Sequence, residues 1–315
     1  MKLVQTIGNP APANAVVAMV HASDGVALRV ARWHPAAPSR GSVVICAGRA
    51  EFIEKYFETA AELLARGLSV VAFDWRGQGL SARELSNPRK GHIDDFSFYE
   101  RDLDAVVAQA LEPFCRRPFF AIGHSMGAAV LLVQARAGRS PFERLLLTAP
   151  MIGLGGLRFP NGARALAEAL DIAGLGSAFM PGGRSRAPMS LPFPINLLTS
   201  DERRYRRCAD VIAAAPEVAI GAPTIGWINA AFRCMREFDD LEFPRRTLTP
   251  TLIFSAGADR IVDNGATEHF AHFLKAGRMI EIPFARHEIL MEQDRFREQF
   301  WAAFDAFALP RAAMA

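Results

Sequence analysis

The sequence predicts an α/β fold: a mostly parallel sheet with helices on both faces and an inserted helical cap. Three observations predict it. Short apolar, β-branched runs alternate with longer stretches of helical periodicity, the order produced by βαβ units. The alternation stops at Met151 and resumes after Arg246, which divides the chain into a core of residues 1–150 and 247–315 and a cap of 151–246. The 315 residues are 50% hydrophobic and 22% charged, enough apolar material for a full-sized core and too much for disorder.

In chain order, Val16 to His34 alternates apolar and polar residues around Ser23-Asp24-Gly25 and reads as a β-hairpin. Ser42 to Gly48 (SVVICAG) is a continuous apolar run, as a strand covered on both faces requires. Ile53, Tyr56, Phe57, Ala60 and Leu64 then fall on one helical face. Leu68 to Asp74 is the next strand, followed by a helix whose face is Tyr99, Leu103, Val106, Val107 and Ala110. A strand ending at His124 leads into a helix from Met126 to Ala137, and Arg144 to Pro150 forms another strand. Within 151–246, glycines and prolines interrupt helical fragments. The core resumes with a strand from Pro250, a helix near Ala266 to Leu274, the strand Arg278 to Pro283 and a final helix from Asp294 to about Phe307.

Between the third apolar run and its helix lies Gly123-His124-Ser125-Met126-Gly127. A GxSxG pattern at a strand-to-helix junction places its serine on a tight, strained turn with the hydroxyl lifted above the sheet. The alternative is a serine that merely caps a helix. An alcohol is a poor nucleophile at neutral pH, so Ser125 needs a histidine base oriented by a carboxylate, in the chain order Ser, acid, His. Of seven histidines only His269, His272 and His287 follow the serine. The first two sit one turn apart on a predicted helix and read as helix surface, whereas His287 follows the last strand, where a catalytic loop belongs. No carboxylate occurs between Glu143 and Glu168, which empties one of the two usual acid positions. The other, after the strand that ends near Ser255, holds Asp259, with Asp263 expected to cap the next helix.

An oxyanion needs backbone donors. The expected pair is the amide of Met126, after the serine, and the amide of Arg49, in the loop after the first parallel strand. His124 is expected to point away from Ser125 and pack under the turn, and His92 with Asp94 and Asp95 to secure a helix start. The segment Asp74 to Ser81 (DWRGQGLS) lacks the GK[ST] ending of a phosphate loop and reads as a loop beside the site.

Composition narrows the partners. The net charge is +3, with no basic run interleaved with aromatics, so no nucleic acid is expected. Four scattered cysteines show neither zinc nor disulfide spacing, and no apolar stretch reaches signal-peptide or membrane-spanning length. These features predict a cytoplasmic protein with no cofactor or metal, compatible with peripheral membrane contact. Between Arg184 and Arg207 six arginines face Asp201 and Glu202, an excess that suits either a solvated helix face or an anionic surface.

Together, GHSMG, ADRIVD, ARHEILME, DWRGQGLS and GHIDDF resemble the α/β-hydrolase branch that holds bacterial lysophospholipases and monoacylglycerol lipases, grouped with serine-aminopeptidase-like hydrolases. The resemblance runs from about Ser42 to Phe307, and the cap stretch NLLTSDERRYRRCADVIAAAPEVAIGAPTIGW is similar to the bacterial lysophospholipase group. It implies nucleophile Ser125, acid Asp259 and base His287, in agreement with the residue-level reading. Monoacylglycerol lipases carry His-Gly before the oxyanion donor; here Ala47-Gly48 stands there, and Gly48-Arg49 suits the lysophospholipase branch. The expected function is a serine carboxylester hydrolase acting on lysophospholipid or monoacylglycerol, against a short-chain carboxylesterase, a serine aminopeptidase, or a binding protein that has lost the reaction. Leu154, Phe159, Phe179, Met189 and Phe193 are the cap residues expected to cover an acyl chain.

Overall fold

A computed structural model describes residues 2–309; Met1 and the last six residues of the expected 247–315 core segment lie outside the described residues. Eight strands form one sheet: β1 (Val16–His21), β2 (Ala27–Trp33), β3 (Ser42–Cys46), β4 (Ser69–Phe73), β5 (Phe119–His124), β6 (Arg144–Thr148), β7 (Thr251–Ala256) and β8 (Gly277–Ile282). Their spatial order is β1-β2-β4-β3-β5-β6-β7-β8. The hairpin β1-β2 is antiparallel and joins β4 antiparallel; every other pair is parallel, as the βαβ order predicts. β3, β4 and β5 are buried at every position, which explains their unbroken apolar runs.

The helices that alternate with these strands are α1 (Phe57–Ala65), α2 (Ser97–Val106), α3 (Met126–Arg136), α8 (Asn264–His272) and α9 (Asp294–Ala308). Nine of the eleven residues of α3 are buried, so it is apolar on nearly every side rather than amphipathic. A 3-10 turn over Ile53–Tyr56 precedes α1; Ile53, Tyr56, Phe57 and Ala60 of the expected face are buried, and Leu64 packs half-buried against the core beside a fully buried Leu63.

No strand of the sheet falls between β6 and β7, where the chain forms α4 (Pro160–Leu170), α5 (Glu202–Ala214), α6 (Ile225–Glu237) and α7 (Glu242–Arg246) with short 3-10 turns between them. Asp201 caps α5 by accepting from Arg204 N–H (2.9 Å), and Thr224 caps α6 by accepting from Trp227 N–H (3.2 Å). Such caps each contribute about 1 kcal/mol. The arginine-rich stretch is not simply a solvated face. Arg204 is fully buried among Glu58 (2.8 Å), Asp201 (2.8 Å) and Asp294 (2.5 Å), and Arg207 joins Glu58 at 2.5 Å. Arg206, paired with Glu202, remains exposed.

Three core arginines hold the segment before α6 by its backbone. Arg83 donates to Glu217 O (2.9 Å) in the 3-10 turn Pro216–Val218, Arg89 to Ala219 O (3.1 Å) and Arg49 to Gly221 O (2.8 Å), three alternate carbonyls. His92 departs from its expected place: its Nδ1 lies 2.8 Å from Thr224 Oγ1 at the α6 cap, while Asp95 alone secures the start of α2 by accepting from Ser97 N–H (2.9 Å). No described helix is long and apolar enough to cross a membrane.

Candidate active site

The parallel strands all end at one edge of the sheet. The order reverses between β3 and β5, because the chain leaves β3 outward to β4 and returns on the other side to β5, and such a reversal opens a crevice at the carboxyl ends. Ser125 follows β5 there, with φ +50° and ψ −112°, a conformation that costs about 1–3 kcal/mol and must be held by its surroundings. Its N–H donates to Thr148 O (3.0 Å), and its carbonyl accepts from Ala129 N–H and Met151 N–H (both 3.1 Å). Both flanking glycines are sterically required. A Cβ at Gly127 would stand 2.2 Å from Cys46 O, and one at Gly123 would stand 2.8 Å from Ala128 Cα.

His287, after β8, and Ser125 line one cavity of about 290 Å³, with Arg49, Met151, Met189 and Trp227 also on its wall. Behind the histidine stands Asp259, whose side chain is fully buried. Asp259 Oδ2 lies 2.8 Å from His287 Nδ1, and Oδ1 accepts from Ile261 N–H (2.7 Å) and Val262 N–H (3.2 Å). Burial pushes this carboxyl up, but the His287 hydrogen bond and charge, with the two amides, outweigh it and hold Asp259 below the usual carboxylate range. An ionised carboxylate only accepts, so Nδ1 carries the proton and Nε2 is left as a base. The Ser125 hydroxyl makes no hydrogen bond to a described residue; in substrate-free sites this contact is commonly long and tightens on binding.

The loop after β3 is anchored by three hydrogen bonds on two of its peptide groups, Ala47–Gly48 and Arg49–Ala50. Trp75 Nε1–H donates to Ala47 O (2.8 Å), Gly48 N–H donates to Glu51 Oε2 (2.5 Å), and Ala50 N–H donates to Gln78 Oε1 (2.5 Å). Arg49 N–H and Met126 N–H have no acceptor among the described residues. Thus the segment Asp74 to Ser81, expected beside the site, braces the loop that presents Arg49.

His124 does not simply point away. It is buried with Nδ1–H donating to Thr148 O (3.1 Å), yet its ring lies 4.7 Å from the His287 ring and lines the same cavity. Burial pushes it down to about 3, so it is neutral beside His287 at neutral pH. The sequence reading missed the cluster around it. Lys55 Nζ bridges Glu51 (2.5 Å) and Glu288 (2.6 Å), all three buried, and Tyr56 donates its hydroxyl to Glu51 (2.6 Å). Burial pushes Glu288 up, whereas Lys55 and His124 together bring Glu51 down against its own burial. The available signal was Glu51 and Lys55 at i, i+4 inside an apolar stretch.

Asp263 caps α8 by accepting from Gly265 N–H (2.8 Å) and Ala266 N–H (3.2 Å), as expected. His269 and His272 sit on that helix, edge-on to Phe273. Among the described residues no group of three His, Cys, Asp or Glu side chains is placed to hold a metal ion. Of the expected cap residues, Leu154 and Met189 line the cavity; Phe193 packs on Tyr205, and Phe159 is exposed.

A family model described as "Serine aminopeptidase, S33" matches residues 37–294. Lysophospholipase L2 of Escherichia coli (strain K12) is 35% identical over 270 residues, 81% of this chain and 76% of its own length. Monoglyceride lipase of Rattus norvegicus is 26% identical, over 77% of this chain and 73% of its own. Among solved structures, a soluble variant of monoglyceride lipase from Saccharomyces cerevisiae superposes with a TM-score of 0.71 at 20% identity, covering 97% of both chains. A carboxyl esterase from Bacillus coagulans gives 0.73 at 18% identity, covering 93% of this chain and 97% of its own. The sheet order, the strained serine turn and these matches agree: the chain belongs to the serine aminopeptidase S33 family of α/β-hydrolases.

Proposed function

We propose that this protein is a serine carboxylester hydrolase that cleaves single-chain lipids, lysophospholipid or monoacylglycerol, through an acyl-enzyme. The observation that carries the reading is the strained Ser125 facing one cavity with a His287 whose tautomer is set by Asp259. Ser125 Oγ attacks the acyl carbon while His287 Nε2 takes its proton, and the oxyanion settles between the amides of Met126 and Arg49. His287 then returns the proton to the departing glycerol oxygen. Water repeats the sequence to release the fatty acid.

Substrate class rests on the apolar space beside the serine and on the relatives' names. A second cavity of about 270 Å³, lined by Leu157, Leu166, Met180 and Phe232, shares Leu154 and Ile228 with the first and suits an acyl chain. In this reading residues 151–246 act as a cap over a core of 1–150 and 247–315. Phe159, Leu166 and Ile172, exposed on that cap, support peripheral contact with a lipid surface, and the four free cysteines suit a cytoplasmic setting. The test is turnover of lysophosphatidylcholine, monoacylglycerol, short p-nitrophenyl esters and aminoacyl amides by the purified protein, with fluorophosphonate labelling. Long-chain esters are hydrolysed, and Ser125→Ala abolishes the label and lowers turnover on the order of 10⁶-fold. No turnover of any long-chain lipid refutes the substrate class; labelling that survives Ser125→Ala refutes the nucleophile.

A further inference from the structure

Arg49 contributes more to the cavity than a backbone amide. Its guanidinium has no carboxylate partner among the described residues. The single hydrogen bond it makes is Nη2 to Gly221 O at 2.8 Å, and its Nε is buried with no acceptor. The two carboxylates on the cavity wall, Glu51 and Glu288, are both occupied by the buried Lys55 behind it. Arg49 therefore brings uncompensated positive charge to the wall of the cavity that holds Ser125. The packing around it lowers its pKa to about 10, which leaves it a cation at neutral pH.

Several contacts fix where that charge sits. The guanidinium carbon lies 5.2 Å from the Trp227 ring centroid, and a Cβ at Gly91 would come within 2.9 Å of Nη2, so the group is wedged between α6 and the loop before α2. A buried cation without a counter-ion is costly and is sustained where an anion arrives. Arginine, planar and forked, matches phosphate oxygens better than lysine does. The glycerol unit that separates the acyl carbon of a lysophospholipid from its phosphorus is about as long as an arginine side chain. One residue can thus meet the carbonyl oxygen with its N–H and the phosphate with its guanidinium.

We propose that the Arg49 guanidinium receives the head-group phosphate of a lysophospholipid and thereby favours phosphorylated over neutral monoacyl substrates. This inference rests on the ester-hydrolase reading above. The measurement is the ratio of kcat/KM for 1-oleoyl-lysophosphatidylcholine to that for monooleoylglycerol, in wild type, Arg49→Met and Arg49→Lys. Loss of charge-assisted hydrogen bonds lowers the ratio in Arg49→Met about 10- to 100-fold, mainly through KM, with Arg49→Lys intermediate. If Arg49 served only to hold Gly221, both substrates would suffer alike; a ratio within threefold of wild type overturns the proposal.

Should the methionine variant fail to fold, wild type supplies the decision. Glycerol 3-phosphate inhibits p-nitrophenyl butyrate hydrolysis competitively and at least about tenfold more strongly than equimolar inorganic phosphate or glycerol. Equal inhibition by inorganic phosphate overturns the head-group assignment. A wild type that cleaves p-nitrophenyl butyrate but neither lipid refutes the substrate reading and this inference together. Turnover of both lipids with an unmoved ratio refutes this inference alone.

Discussion

Replacing Asp259 by asparagine tests the site through one proton. The two carboxylate oxygens have different duties: Oδ1 accepts from the amides of Ile261 and Val262, and Oδ2 faces His287 Nδ1. Both backbone partners are donors, so the asparagine must keep its carbonyl toward them and turn its NH₂ toward the histidine. That NH₂ donates to Nδ1, which forces the imidazole proton onto Nε2, the atom that must accept from Ser125. Packing and shape hardly change, while the base is converted to a donor. The expected loss in kcat is about 10⁴-fold, or about 5.5 kcal/mol, the size seen when a triad histidine is locked in the wrong tautomer. The assay is p-nitrophenyl ester hydrolysis at neutral pH beside the rate of fluorophosphonate labelling, with circular dichroism to verify folding. A folded variant within tenfold of wild type in both refutes the assignment of Asp259 and the tautomer argument with it.

His124 gives a stability prediction. In the folded protein it titrates at about 3, below the ordinary imidazole value of about 6.5, so between these limits the unfolded chain binds a proton that the native protein does not. Stability from this group therefore rises with pH through that window and is lost as pH falls, by about 1.4 kcal/mol per unit. Urea unfolding at pH 7 and pH 5 should show a loss about 2 kcal/mol smaller in His124→Asn than in wild type, and parallel losses would contradict the burial argument. Gly127→Ala and Gly162→Ala should shift the melting temperature in opposite directions. The first drives a Cβ into two backbone carbonyls and costs about 3 kcal/mol, whereas the second, an exposed position in α4 whose Cβ meets nothing nearer than 3.7 Å, gains about 0.5–1 kcal/mol. Destabilisation by both would show that the clash distances do not govern these sites.

Local periodicity carried the sheet and its helices into view because burial on one or both faces writes itself into every second or every third and fourth residue. Ser125, Asp259 and His287 were legible for a related reason: parallel strands deliver their carboxyl ends to one edge, so chain order and strand ends suffice. What escaped depends on which distant charges meet. Glu51 and Lys55 are one helical turn apart, but Glu288 is far along the chain, and nothing in either stretch announces that Lys55 will neutralise both carboxylates. His124 was misdirected by strand alternation alone, since the His287 loop folds back over the turn and brings the rings together.

The grip of Arg83, Arg89 and Arg49 on three alternate carbonyls reads no side chain of the segment it holds. Exposed Glu217 can thus change identity without loosening the attachment, whereas the neighbours of the other two carbonyls fix them: Ala219 is buried, and a Cβ at Gly221 would stand 2.4 Å from Arg184 O. The grip also ties the segment leading into α6 to the core, and so steadies Trp227 on the wall of the cavity that holds Ser125.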